Sequence, residues 1–177
     1  MTSRRLATSA VVVFALLALS SRPADAADFS GFRGPKRDNI SVETGLLKQW
    51  PQGGPKLLWT AKGLGEGYST VSVVGGRAYT MGATRAGGES IHAIDLAGGN
   101  IVWSTKISTQ YGASSGNGPR STPTIDGNRI YVQGLGGDVA CLDLESGRIL
   151  WQKNVLKAFN GGRPGWSICE SVMIDGQ

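Results

Sequence analysis

The segment AIDLAGGNIVW at residues 93–103 is written again 48 residues later as CLDLESGRILW at 141–151. The two copies share Asp95/Asp143, Leu96/Leu144, Gly99/Gly147 and Trp103/Trp151. Upstream, STVSVVGGRAYTMG (69–82) lies over STPTIDGNRIYVQG (121–134) at an offset of 52. The difference falls in the loop ATRAGGES (83–90), where insertions are tolerated. A third copy opens at ESVMIDGQ (170–177), and PKLLW (55–59) keeps the closing Trp of an earlier one. A repeat of this size predicts an array in which each unit buries its face against the next.

Each unit reads as four short strands. Val71–Val74 and Arg77–Met81 flank Gly75-Gly76, and Ile125 and Arg129–Gln133 flank Asp126-Gly127-Asn128. Both are hairpin signals between β-formers. Third strands are expected at Ser90–Ile94 and Asp138–Leu142, and fourth strands at Asn100–Lys106 and Arg148–Asn154. No helical period follows residue 27. The fold class is therefore all-β: a β-propeller of four-stranded antiparallel blades, with about two and a half blades present. The expected division is a signal peptide at 1–26, an N-terminal extended segment at 27–54 and a partial propeller at 55–177. Within the propeller fall a closing strand at 55–61, blades at 67–107 and 119–155, and the start of another at 166–177.

Residues that recur in every unit serve the repeat rather than a reaction. Asp95 and Asp143 are expected to accept backbone N–H groups two residues on and so fix a tight turn. Gly99 and Gly147 supply a positive φ or room for a neighbour, and Trp103 and Trp151 pack between adjacent blades.

The spacing from Ala93 to Trp103, and again from Cys141 to Trp151, resembles the tryptophan-docking motif A-x-D-x-x-T-G-x-x-x-W of the pyrroloquinoline quinone (PQQ) type propellers. Gly98 and Ser146 stand for its Thr, and Cys141 for its Ala. FRGPKRDNISVETGLLKQWPQGGPKLLW (32–59) also resembles the opening of secreted PQQ-like propeller proteins. The resemblance covers nearly all of residues 29–177 and implies the fold. It implies two functions: a binding or scaffolding module like the outer-membrane-protein assembly propeller, or a dehydrogenase dependent on PQQ and Ca2+. The dehydrogenases carry adjacent Cys residues and a calcium-binding set that has no counterpart here, and the assembly factor carries a lipidation Cys that this chain lacks. The scaffold is the preferred reading, with PQQ and Ca2+ entering by resemblance alone. Protein partners or a small ligand at the propeller channel are the expected partners.

The first residues have another purpose. Arg4 and Arg5, the apolar run Leu6–Leu19 and Ala24-Asp25-Ala26 form a secretory signal peptide, cut between Ala26 and Ala27. The run is too short to span a bilayer, so no transmembrane anchor is expected after cleavage and the protein is periplasmic or secreted. Cleavage lowers the formal charge from +5 to about +3. The remaining basic residues are scattered, which argues against nucleic-acid binding. Cys141 and Cys169 can pair or stay free. Ring propellers have four to eight blades, so the chain is expected to be the N-terminal part of a longer protein.

Ligands of propellers gather at the channel mouth, where the inter-blade loops 61–68, 108–120 and 156–166 are expected. Tyr68, Arg120, Arg163 and Trp166 are the candidates there, with Tyr111 and Phe159 beside them. Arginine with aromatic surface holds an anionic or planar ligand; alternatively these arginines bind neighbouring backbone carbonyls. His92 is the only His, so no His-based metal set or triad is available. Catalytic residues stay unassigned.

Overall fold

The computed structural model describes residues 27–176, so the predicted signal peptide lies outside the described residues. Two four-stranded antiparallel sheets make up the body. The first blade runs β1 (Ser72–Val74), β2 (Arg77–Thr84), β3 (Gly88–Asp95) and β4 (Ile101–Ser108), in sequence order across the sheet. A small hairpin follows, β5 (Gly112–Ala113) and β6 (Gly116–Asn117). The second blade is β7 (Thr124–Asp126), β8 (Arg129–Gln133), β9 (Asp138–Asp143) and β10 (Ile149–Asn154). The chain is a partial β-propeller.

The repeated turns do the same work in both blades. Val74 pairs Arg77 across Gly75-Gly76, and Asp126 pairs Arg129 across Gly127-Asn128. Gly75, Gly76 and Gly127 all have positive φ (59°, 76° and 54°), which matches the twist of a tight hairpin. At the third turn Gly98 N–H donates to Asp95 Oδ2 (3.0 Å) and Ser146 N–H to Asp143 Oδ1 (2.9 Å). The acceptor thus reaches three residues on, not two.

The small residue of the motif has a physical reason. Ala93 lies between Tyr79 and Trp103 on the neighbouring strands, and Cys141 between Tyr131 and Trp151. The rings meet across that gap, with centroids 6.0 Å apart in the first blade and 6.2 Å in the second. A β-bulge in the same place, skipping Val102 and Leu150, sets both tryptophans opposite the small residue.

The core lies between the blades. Tyr79, Met81, Ile91, Ala93 and Ile107 of the first face Ile125, Ile130, Val132, Ala140 and Leu142 of the second. Trp103 lies on the Gly147 turn, where an added Cβ would come within 2.5 Å of its ring. Trp59 lies on Gly99 in the same way and donates Nε1–H to Leu96 O (2.7 Å). Gly99 and Gly147 also have φ of 72° and 70°.

Three local readings change. Residues 55–61 hold no strand pairing, although Trp59 docks. Residues 170–176 form no strand, yet Thr122 N–H donates to Ser171 Oγ (2.9 Å) and Thr124 Oγ1 to Val172 O (2.6 Å). One helical turn, α1 (Val155–Ala158), interrupts the all-β pattern, capped by Asn154. The extended N-terminal segment begins as a staple: Phe29 pairs with Val73 of β1, and Ser30 O accepts from Ile125 N of β7 (2.7 Å). Among the described residues no helix is long and apolar enough to cross a membrane.

Candidate functional site at the channel mouth

Of the three loops predicted for the mouth, 61–68 is joined by backbone pairing to β2 and to 108–120, while 156–166 reaches them only through the Arg163 side chain. Glu66 and Ala83 exchange two hydrogen bonds of 2.8 Å, and Tyr68 N–H donates to Pro119 O (2.8 Å). These bonds leave no space beside the glycines: a Cβ on Gly118 would collide with Glu66 O, and one on Gly116 would lie 2.7 Å from the Tyr68 hydroxyl. The β5–β6 hairpin therefore stacks on Tyr68.

Arg120 ends this loop and folds back over it. Its Nη1 donates to Gly118 O (3.1 Å), and its Nη2 to Ser115 Oγ (3.1 Å) and Gly116 O (3.3 Å). The guanidinium carbon sits 5.3 Å from the centre of the Tyr68 ring, a cation–π distance. Tyr68, Ser115, Arg120, Trp166 and Cys169 line one cavity of about 320 Å3. Tyr68 and Trp166 are 62% and 71% exposed, with Arg120 over the Tyr68 ring.

Arg163 is placed elsewhere. It spans from its own loop to the hairpin, with Nε on Ser167 Oγ (3.0 Å) and Nη2 on Gly112 O (3.1 Å). It lines a separate cavity of about 400 Å3 with Gln110, Asp138, Asn154 and Lys157. Of the four candidates, the structure brings Tyr68, Arg120 and Trp166 together and leaves Arg163 apart. Arg120 binds backbone carbonyls of its own loop and Arg163 one of the neighbouring loop, and both keep part of their five-donor fork unused. Phe159 is exposed at the end of α1.

Two acidic centres have no signature in the sequence. Glu66 accepts from the Tyr111 hydroxyl (2.8 Å) and Asn117 Nδ2 (2.9 Å), and these bonds hold its carboxyl below its ordinary range. Arg85 stacks on the other face of Tyr111, 5.1 Å from the ring centre. Glu89 is fully buried between the blades. It accepts from Ser108 Oγ (2.6 Å) and from Leu135 N (2.9 Å), yet burial pushes its pKa up. Gly134 leaves the room, since a Cβ there would lie 2.4 Å from Glu89 Oε2. His92 is held by Ser104 Oγ (2.8 Å) and Leu64 O (3.1 Å), and burial pushes its pKa down.

These donors do not suit a calcium ion. Glu66 and Glu170 accept hydrogen bonds from protein partners, and no group of three or more His, Cys, Asp or Glu converges among the described residues. Cys141 is buried and Cys169 exposed, and both are free.

Comparison with known proteins follows this architecture. A family model described as outer membrane protein assembly factor BamB matches residues 36–169. The assembly factor BamB of Yersinia pestis is 30% identical over 83 residues, which is 44% of this chain and 21% of that protein. The BamB of Nitrosomonas eutropha is 28% identical over 129 residues, 68% of this chain and 31% of that protein. The chain thus spans about a fifth to a third of the relatives it matches. Among solved structures, quinohemoprotein alcohol dehydrogenase from Comamonas testosteroni superposes with a TM-score of 0.58. That match is 19% identical and covers 84% of this chain and 22% of the other, a likeness of fold. With its docked tryptophans, paired blades and matched residues, the chain belongs to the PQQ-like repeat family described as outer membrane protein assembly factor BamB.

Proposed function

We propose that this chain is a binding and scaffolding module of the bacterial envelope, exported by the signal peptide at 1–26 and working in outer-membrane-protein assembly. The family match over residues 36–169 supports the reading. The observation that carries it is the mouth itself. Arg163 ties its loop to the hairpin, Arg120 folds back over its own loop and the Tyr68 ring, and exposed aromatic residues remain on a fixed platform. Such a surface suits recognition, because rigid side chains lose little entropy on binding.

The test is made with the full-length protein in its native cell. Deleting the gene should lower the amounts of outer-membrane β-barrel proteins, and the protein recovered from the envelope should begin at Ala27. Unchanged outer-membrane protein levels would overturn the assembly role. A dye-linked alcohol oxidation assay with added PQQ and Ca2+ separates the alternative. No quinone-dependent activity is expected, and its appearance would replace the scaffold by a dehydrogenase.

A further inference from the structure

We propose that the cavity between Tyr68, Arg120 and Trp166 binds an extended acidic peptide by taking one of its aromatic side chains. The proposal rests on the binding-module reading and names the chemistry of its partner. Three observations carry it.

The first is size. At about 320 Å3 the cavity stands at the small end of ligand pockets, which run roughly 300–1,000 Å3, so it accepts one ring rather than a large cofactor. The second is its walls. Tyr68 and Trp166 are two largely exposed aromatic residues, and rings of this kind gain about 0.5–1.5 kcal/mol beyond burial when they stack edge or offset. The third is charge. Arg85, Arg120 and Arg163 all touch the β5–β6 hairpin or its flanks, through Tyr111, Gly118 and Gly112 respectively. Of the acids near the hairpin, Glu66 is already held by Tyr111 and Asn117. Another, Glu170, accepts from Cys169 N (3.1 Å). Arg120 uses three of its five N–H groups on the loop, and the other two have no partner among the described residues. An aromatic side chain seated between Tyr68 and Trp166 brings a neighbouring carboxylate to that guanidinium. Peptide carboxylates on either side of the ring then meet a surface with an excess of arginine.

The full chain should be titrated with a fluorescein-labelled peptide of sequence Glu-Ala-Trp-Ala-Asp. Two control peptides replace Trp by Ala or both acids by Lys. The parent peptide is expected to bind at least about tenfold more tightly than either control, a difference of about 1.4 kcal/mol, and to weaken with added salt. Trp166→Ala should reduce binding about tenfold or more, and because Trp166 is exposed this variant keeps the fold. Arg120→Lys should weaken the acidic peptide while leaving its loop folded, as far-ultraviolet circular dichroism will report. Equal binding of the Lys peptide, or no effect of Trp166→Ala, would overturn the proposal. So would displacement of the peptide by free PQQ at lower concentration, which would mark a small-ligand pocket. Failure of the wild-type chain to bind the parent peptide, alongside a gene-deletion phenotype as expected, refutes this inference alone and leaves the scaffold role standing.

Discussion

The two blades carry the same outer face, and within residues 27–176 a neighbouring blade lies against only the first. In the first blade Tyr79 is buried, and Trp103 is pressed on the Gly147 turn. In the second, Tyr131 is half-buried and Trp151 is 48% exposed. Yet the Tyr–Trp pairs are nearly superposable, with interplanar angles of 48° and 55°. The docking surface is therefore built within a blade by its own strand register and bulge. A neighbour adds burial to a surface already in place, and does not create it.

The sharpest break of this comparison is tryptophan removal. Trp103→Ala should cost about 3–5 kcal/mol, as for large aromatic truncations in a core. Measured on this chain alone, where no described blade lies against Trp151, Trp151→Ala should stay within about 1 kcal/mol. Urea denaturation of both variants measures the gap, and equal losses would mean that the exposed face is as tightly packed as the covered one.

Glycine substitution probes the partner side of the contact. Gly147→Ala places a methyl group against the Trp103 ring at a φ of 70°, and overpacking with backbone strain should cost about 3 kcal/mol. Gly127→Ala has a comparable φ but open space around it, so it should lose only about 1 kcal/mol. In the double variant Trp103→Ala/Gly147→Ala the losses should fall short of additive, because the vacated ring space takes the new methyl.

Glu89 sharpens the comparison from inside the interface. Its folded pKa is raised, so the folded state binds its proton more tightly than the unfolded chain does. The stability linked to this group is fully present below the unfolded value of 4.5 and is lost as pH rises through the folded pKa. Thermal melts across that window should show this slope in the wild type and not in Glu89→Gln. Glu89→Ala leaves Leu135 N–H without its acceptor and should cost about 1–3 kcal/mol.

The smallest effect is expected at the rim. Arg77 reaches from the first blade to Glu145 of the second through two bonds of 3.0 and 2.7 Å, with Glu145 largely exposed. Arg77→Met should change stability by less than about 1 kcal/mol, and the change should vanish in high salt.

What was legible in the sequence is what local geometry decides. Hairpin glycines, period-two alternation and the Asp-to-Gly turn each act within a few residues, so the strands fall within a few residues of their expected places. The mouth was legible only in part. Tyr68, Arg120 and Trp166 meet in one cavity, while Arg163 matches Arg120 by position in its loop and yet turns to the hairpin. Glu89 and Glu66 read as scattered acids, because their partners Leu135 and Asn117 come from other loops. No spacing rule encodes a contact that depends on how one blade leans on the next.

The N-terminal staple has a consequence for how the molecule comes apart. Phe29 holds the first strand of the first blade and Ser30 that of the second, so a short peptide bridges two sheets distant from it in the chain. Contacts of such long sequence separation form late, since loop closure must come first. Once made, they join the blades into one cooperative unit. Amide exchange in Ser72–Val74 and Thr124–Asp126 should then proceed with one common opening free energy, and trimming Phe29 and Ser30 should split it in two.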